Sequence, residues 1–274
     1  MDNLIATYEQ EVRLPLQLAD SPLTAQCRAA VRANPANTEA LYALALAQKG
    51  QLLYFEASQT LSELLALLPF DARALCQRGH VYIGIRAYAQ AIADFELALR
   101  IAPEDWDSLY HLGLCYYLTD RCEKALACYA RCYAASRTEE DFTAVTDWYY
   151  LTLLRLGRRA EAEQLLKPVR PGWAYGENEI YFHRLLVYKG LEKAEDVLAR
   201  AKKEDDHSYC TYAYGIACYL WVVERKRTKR LRCCATSQDA GRTCGAALPC
   251  RLRSMRLRAG RRRFGAREAR KDGF

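Results

Sequence analysis

Apolar positions in the central part of the chain recur at helical spacing, and the whole pattern then repeats every 34 residues. Pro35, Pro69 and Pro103 keep that step, as do Leu41, Leu75 and Leu109. Ala57, Ala91 and Ala125 follow it, and so do Leu61, Phe95 and Tyr129. A shared period at independent positions marks a repeat architecture, in which each unit buries its apolar face against its neighbours. Within 72–105 the spacing predicts a first helix over about 72–84 and a second over about 88–101. Leu75, Gly79 and Tyr82 fall on one face of the first helix; Ala91, Phe95 and Ala98 fall on one face of the second. Gly79 and Ala91 remove volume where the helices cross, and Tyr82 and Phe95 fill the gaps beside them. Pro103 stops the second helix, because proline lacks the N–H that the next helical bond needs. Short connections force the two helices antiparallel.

The order Leu75, Gly79, Tyr82, Ala91, Phe95, Ala98, Pro103 resembles the tetratricopeptide repeat (TPR), and Leu109, Leu112, Gly113, Tyr116, Ala125, Tyr129 restates it. The resemblance implies an all-α, right-handed superhelical solenoid of antiparallel helix pairs. Its units are expected at 38–71, 72–105, 106–139, 143–175 and 176–207, with a half-repeat at 208–224. The register slips after Arg137, where Ala125, Ala162 and Ala194 stand 37 and 32 apart. GIACYL at 215–220 echoes GLCYYL at 113–118 and reads as one more first helix. Residues 1–37 are read as an N-terminal cap or a degenerate repeat.

Charge divides the chain in two. Residues 1–224 carry 23 Lys and Arg against 30 Asp and Glu; residues 225–274 carry 17 against 3. The formal net charge of +7 is therefore an average over an acidic array and a tail of +14. By register the tail should supply a second helix to cover the half-repeat, yet ERKRTKRLRCC develops no apolar stripe. Three readings of the tail stay open: a disordered basic arm for nucleic acid, ribosomes or an anionic membrane, an arm that folds on a partner, or out-of-frame translation of GC-rich DNA. Translating the other two frames from codon 225 separates the last from the others. The N-terminus has no signal-peptide pattern, and the longest apolar run, Ile216 to Val223, is far short of the ~20 residues that span a bilayer. A cytoplasmic location with reduced cysteines is expected.

No phosphate loop, HExxH zinc motif or nucleophile elbow occurs, so no catalytic residue, cofactor or small-molecule substrate is expected. Cys76 with His80, and His111 with Cys115, are each four apart on successive first helices, as metal ligands on one helix face would be. The two pairs differ by one register position, about 100° of rotation, and no metal site is expected from them. In the resembling family the first helices stack side by side and line a concave groove for peptides and partner proteins. Carried over by register, that groove takes Tyr42 and Leu46 from one unit, and Arg73, His80 and Ile83 from the next. Tyr110, Leu114 and Tyr117 follow, with Leu151 from a fourth unit. The chaperone-binding subtype holds a carboxylate with Lys, Asn and Arg, whereas Tyr42, Leu46, Gln77, Asp107 and His111 stand at those places here. The expected role is a non-enzymatic adaptor holding an apolar helix or strand of a partner protein. The alternative is nucleic-acid or ribosome association through the basic tail. The tyrosine stripe either meets the partner or packs within the solenoid.

Overall fold

Each repeat is punctuated by two small devices that fix where helices start and where they turn. A computed structural model describes residues 19–204 and 206–223; the first half of the expected cap and the whole basic tail lie outside the described residues. Among those residues there are twelve helices and no strand. In chain order they are α1 Pro22–Ala33, α2 Thr38–Gly50, α3 Tyr54–Leu67, α4 Ala72–Gly84, α5 Tyr88–Ile101, α6 Trp106–Leu118, α7 Cys122–Ala135, α8 Glu139–Arg155, α9 Arg159–Leu166, α10 Glu179–Lys189, α11 Ala194–Glu204 and α12 Asp206–Val223. From α1 to α9 each helix packs on the next, as α11 does on α12, and the first helices α2, α4, α6 and α8 also touch in series. The architecture is an all-α solenoid.

Asn37, Asp71 and Asp105, again 34 apart, cap the first helices: their side-chain oxygens accept from the backbone N–H groups of Ala40, Ala74 and Ser108. Each satisfies a donor that the helix start leaves without a partner. At the other end of each first helix a left-handed residue closes the turn. Leu52, Arg86 and Asp120 have φ of 62°, 60° and 67°, and Gly157 and Gly190 take the same role in the diverged units. The following N–H reaches back five residues, as in Leu53 to Gln48 and Ala87 to Tyr82, which is the Schellman pattern. Only glycine adopts this conformation without a Cβ clash, so Leu52, 59% exposed, is a strained choice. Leu52→Gly is expected to raise the unfolding free energy by about 1 kcal/mol, read from urea denaturation.

Close approach between helices follows the small residues. A Cβ added to Gly79 would lie 2.6 Å from the Phe95 ring, and one on Gly113 would lie 2.7 Å from Tyr129. Ala57, Ala91 and Ala125 are wholly buried opposite. α1 joins the array through Val31 and through Thr24, whose hydroxyl donates to Gln51 Oε1 at 2.5 Å.

From α8 onward the stacking changes. α8 is 17 residues long and α9 only 8, so α9 covers less of its partner than the earlier second helices do. α10 and α12 both pack directly on α8. GIACYL therefore does lie on a helix, but Gly215 serves a new neighbour. A Cβ there would fall 1.9 Å from the Arg184 guanidinium, where Gly113 faces an aromatic ring. That guanidinium is buried with Asp147, their N and O atoms 2.7 Å apart, and Arg184 Nε donates to Tyr188 Oη at 3.0 Å.

Candidate partner-binding groove

Among the described residues, the first-helix face of the array is open at its N-terminal end and closed at its C-terminal end. Tyr42 and Ile83 are half-buried, Leu46 is 39% exposed, and Arg73 is exposed with its guanidinium 5.1 Å from the Tyr42 ring centroid. Arg73 also pairs with Glu39 and Asp71 at 3.0 and 3.1 Å. Leu114 is half-buried on α6. Burial pushes the Tyr42 hydroxyl up from its ordinary value, despite the pull of Arg73.

Tyr110, Tyr117 and Leu151 are placed differently: all three are buried, with Tyr117 and Leu151 each 1% exposed. α10 and α12 close over this end of the face. Tyr117 meets the Trp148 ring edge-on at 5.3 Å, and Trp148 in turn meets Tyr181 of α10 and Tyr214 of α12. Burial raises the Tyr110 and Tyr117 phenols well above the ordinary range. The physical cause is the slipped register, which brings extra first helices over α8 where a regular array would leave an open trough. For these residues the placement matches packing within the solenoid.

Between the open and closed parts sits a polar cluster on α2, α4 and α6. Asp107, in the first turn of α6, is its hub. Its Oδ2 lies 3.0 Å from His80 Nε2 and 3.3 Å from Cys76 Sγ. His111 Nδ1 lies 3.1 Å from Asp107 Oδ1 and 2.9 Å from the Asp107 carbonyl, two acceptors that assign the proton to Nδ1. The His80 and His111 rings sit 3.7 Å apart above Phe95. Lys49 donates to Gln77 Oε1 at 2.8 Å, with its Nζ 3.5 Å from His80 Nδ1.

Burial and the neighbouring His111 bring His80 down to about 4, so its ring is neutral at physiological pH. Burial lowers Lys49 and raises the Cys76 thiol. For Asp107 burial acts upward, but the His111 and His80 hydrogen bonds outweigh it and hold the carboxyl well below the usual range.

This convergence differs from the expectation drawn from helix rotation. His80 and His111 meet across α4 and α6 despite their one-position offset. Cys115 is buried away from them, near Cys128. The hub, Asp107, carried no signal of its own beyond its register position next to the two histidines. Among the described residues, Cys76, His80 and Asp107 are the grouping whose donor atoms could hold a metal ion.

The tetratricopeptide repeat family model matches residues 72–105. A comparison with curated proteins yields no match. Among solved structures, Pseudomonas aeruginosa pilF is similar with a TM-score of 0.53 at 20% identity, covering 79% of this chain and 98% of its own. A MamA RS-1 double mutant reaches 0.50 at 18% identity, covering 69% and 97%. YrrB, described as a TPR protein with an unusual peptide-binding site, reaches 0.47 at 17% identity, covering 73% and 93%, too low a score to bear on the fold. At these identities the likeness is one of fold.

Proposed function

We propose that this chain, whose repeats are of the tetratricopeptide kind, is a non-enzymatic interaction scaffold that holds an apolar helix or strand of a partner protein. The observation that carries the reading is the open half of the first-helix face. Tyr42, Leu46, Ile83 and Leu114 give it apolar and aromatic area on three adjacent helices. Arg73 and Glu39 form a charged rim beside them. Buried apolar anchors ringed by polar groups supply most of the affinity in such interfaces, and an amphipathic helix laid in a groove presents anchors at matching spacing. No helix among the described residues is long and apolar enough to cross a membrane.

The binding segment runs from α2 to α6. Tyr110, Tyr117 and Leu151 support it from beneath, holding α6 and α8 in place. The double variant Leu46→Glu with Ile83→Glu tests the assignment. Both side chains are already partly solvated, so helicity should persist while recovery of a bound partner falls at least tenfold. Unchanged recovery with intact helicity removes the groove from the reading.

The second reading, nucleic-acid or ribosome association, rests on the charge of +14 in residues 225–274. It requires binding that weakens steeply with added salt and vanishes on deleting those residues. Groove binding predicts little change in either experiment.

A further inference from the structure

We infer that Cys76, His80 and Asp107 form a binding site for a zinc-type divalent cation. Three donor types, thiol, imidazole and carboxylate, converge with all their ligand atoms within 4.8 Å of one another. Zinc takes such mixed sets, with bonds of about 2.3 Å to sulfur and about 2.0–2.2 Å to nitrogen and oxygen. A tetrahedral centre with those bonds separates sulfur from oxygen by ~3.6 Å and nitrogen from oxygen by ~3.4 Å. The structure has 3.3 Å between Cys76 Sγ and Asp107 Oδ2, and 3.0 Å between His80 Nε2 and the same oxygen. Those two separations need to widen by a few tenths of an ångström, and the Cys76 and His80 donors, which lie within 4.8 Å of each other, adjust around the ion.

The metal-free arrangement already has the form of a site closed by protons. A thiol hydrogen and an imidazole hydrogen both aim at one carboxylate oxygen, and one cation can replace them. On binding, the Cys76 thiol loses its proton to solvent and the His80 proton moves from Nε2 to Nδ1, the Lys49 ammonium giving up its contact there and keeping Gln77, while Asp107 is ionised beforehand. One proton leaves for each ion bound. Thiolate and carboxylate then neutralise the two charges of the metal.

The surrounding residues favour the same geometry. Cys76 and His80 share one face of α4, four residues apart. Asp107 is held from its far side by the Nδ1–H of His111 at 3.1 Å, the kind of outer hydrogen bond that orients metal-binding carboxylates. The Asp107 side chain is 42% exposed, so the ion has an entry path from the groove and water can complete the fourth position. Lys49 is the opposing feature. Its ammonium lies 3.5 Å from His80 Nδ1 and disfavours a cation nearby, though Gln77 gives it another partner. The site goes beyond the scaffold reading and does not depend on which partner occupies the groove.

The test uses the full chain with Cys233, Cys234, Cys244 and Cys250 changed to serine, so that only the described thiols remain. Metal-stripped, reduced protein is titrated with zinc and, separately, with cobalt. One equivalent of either metal should bind, cobalt with a thiolate charge-transfer band in the near ultraviolet. Cys76→Ser should abolish that band, His111→Ala should weaken binding about 10- to 100-fold, and Lys49→Met should tighten it. Cys115→Ser should change nothing. If Cys76→Ser loses helicity, His80→Gln replaces it as the ligand variant. Binding of less than one equivalent by the parent overturns the inference, and so does an unchanged titration in a folded ligand variant.

Discussion

Replacing Arg184 with methionine is expected to lower the unfolding free energy by about 3–5 kcal/mol, as breaking a buried ion pair does. Arg184 of α10 and Asp147 of α8 are both 0% exposed, and their ion pair is one of the contacts that hold α10 on α8. The guanidinium also lies 5.4 Å from the rings of Trp148 and Tyr181 and fills the space that Gly215 leaves on α12. Truncation strands a carboxylate among aromatic rings. Burial already lifts Asp147 to about 6 with Arg184 opposing it, so without Arg184 it rises further. A raised carboxyl contributes stability below its unfolded pKa of about 3.9 and loses it as pH rises through the folded value. The Arg184→Met loss should therefore be larger at pH 8 than at pH 5. Asp147→Leu combined with Arg184→Met should recover most of the loss, because two apolar side chains of similar volume need no pairing. A single-variant cost under about 1 kcal/mol would contradict the role given to the pair.

Phe95→Ala is expected to cost a comparable 3–5 kcal/mol. The ring is 0% exposed and enters the notch at Gly79, so its removal opens a cavity between α4 and α5 that backbone already in contact cannot close. Gly79→Ala approaches the same contact from the other side and should cost about 1–3 kcal/mol by overpacking. Combining Gly79→Ala with Phe95→Leu should cost less than the two changes summed, since each makes room for the other. Phe95 also supports the His80–His111 pair, with ring centroids 6.0 Å from each. Its loss should weaken metal binding in parallel with stability. Additive costs in thermal or urea unfolding would show that the ring and the glycine do not share one space.

The regular part of the fold was legible because its signals are local and repeated. Pro35, Pro69 and Pro103 set the period, and Gly79 with Phe95 set the crossing. The capping set Asn37, Asp71 and Asp105 follows the same period and was visible in principle. The diverged end was less legible. GIACYL repeats a first-helix pattern, but a repeat pattern does not say which neighbour fills the notch, and Gly215 receives an arginine rather than a ring. Closure of the groove over Tyr110, Tyr117 and Leu151 depends on α10 and α12 reaching α8, a long-range contact that spacing along the chain does not encode. The Asp107 cluster shows the same limit from the other direction. Helix rotation alone set Cys76 and His80 apart from His111, whereas the packing of α4 on α6 brings His80 and His111 together despite that offset.

The most direct measurement of the central claim is partner recovery from a cell extract by three versions of the chain. Intact protein, Leu46→Glu with Ile83→Glu, and a control carrying Leu67→Glu on the exposed side of α3 are compared at matched helicity. The groove reading predicts a protein retained by the intact chain and by the Leu67 control and lost from the double variant. Retention by all three, or loss that follows deletion of 225–274 instead, would contradict it.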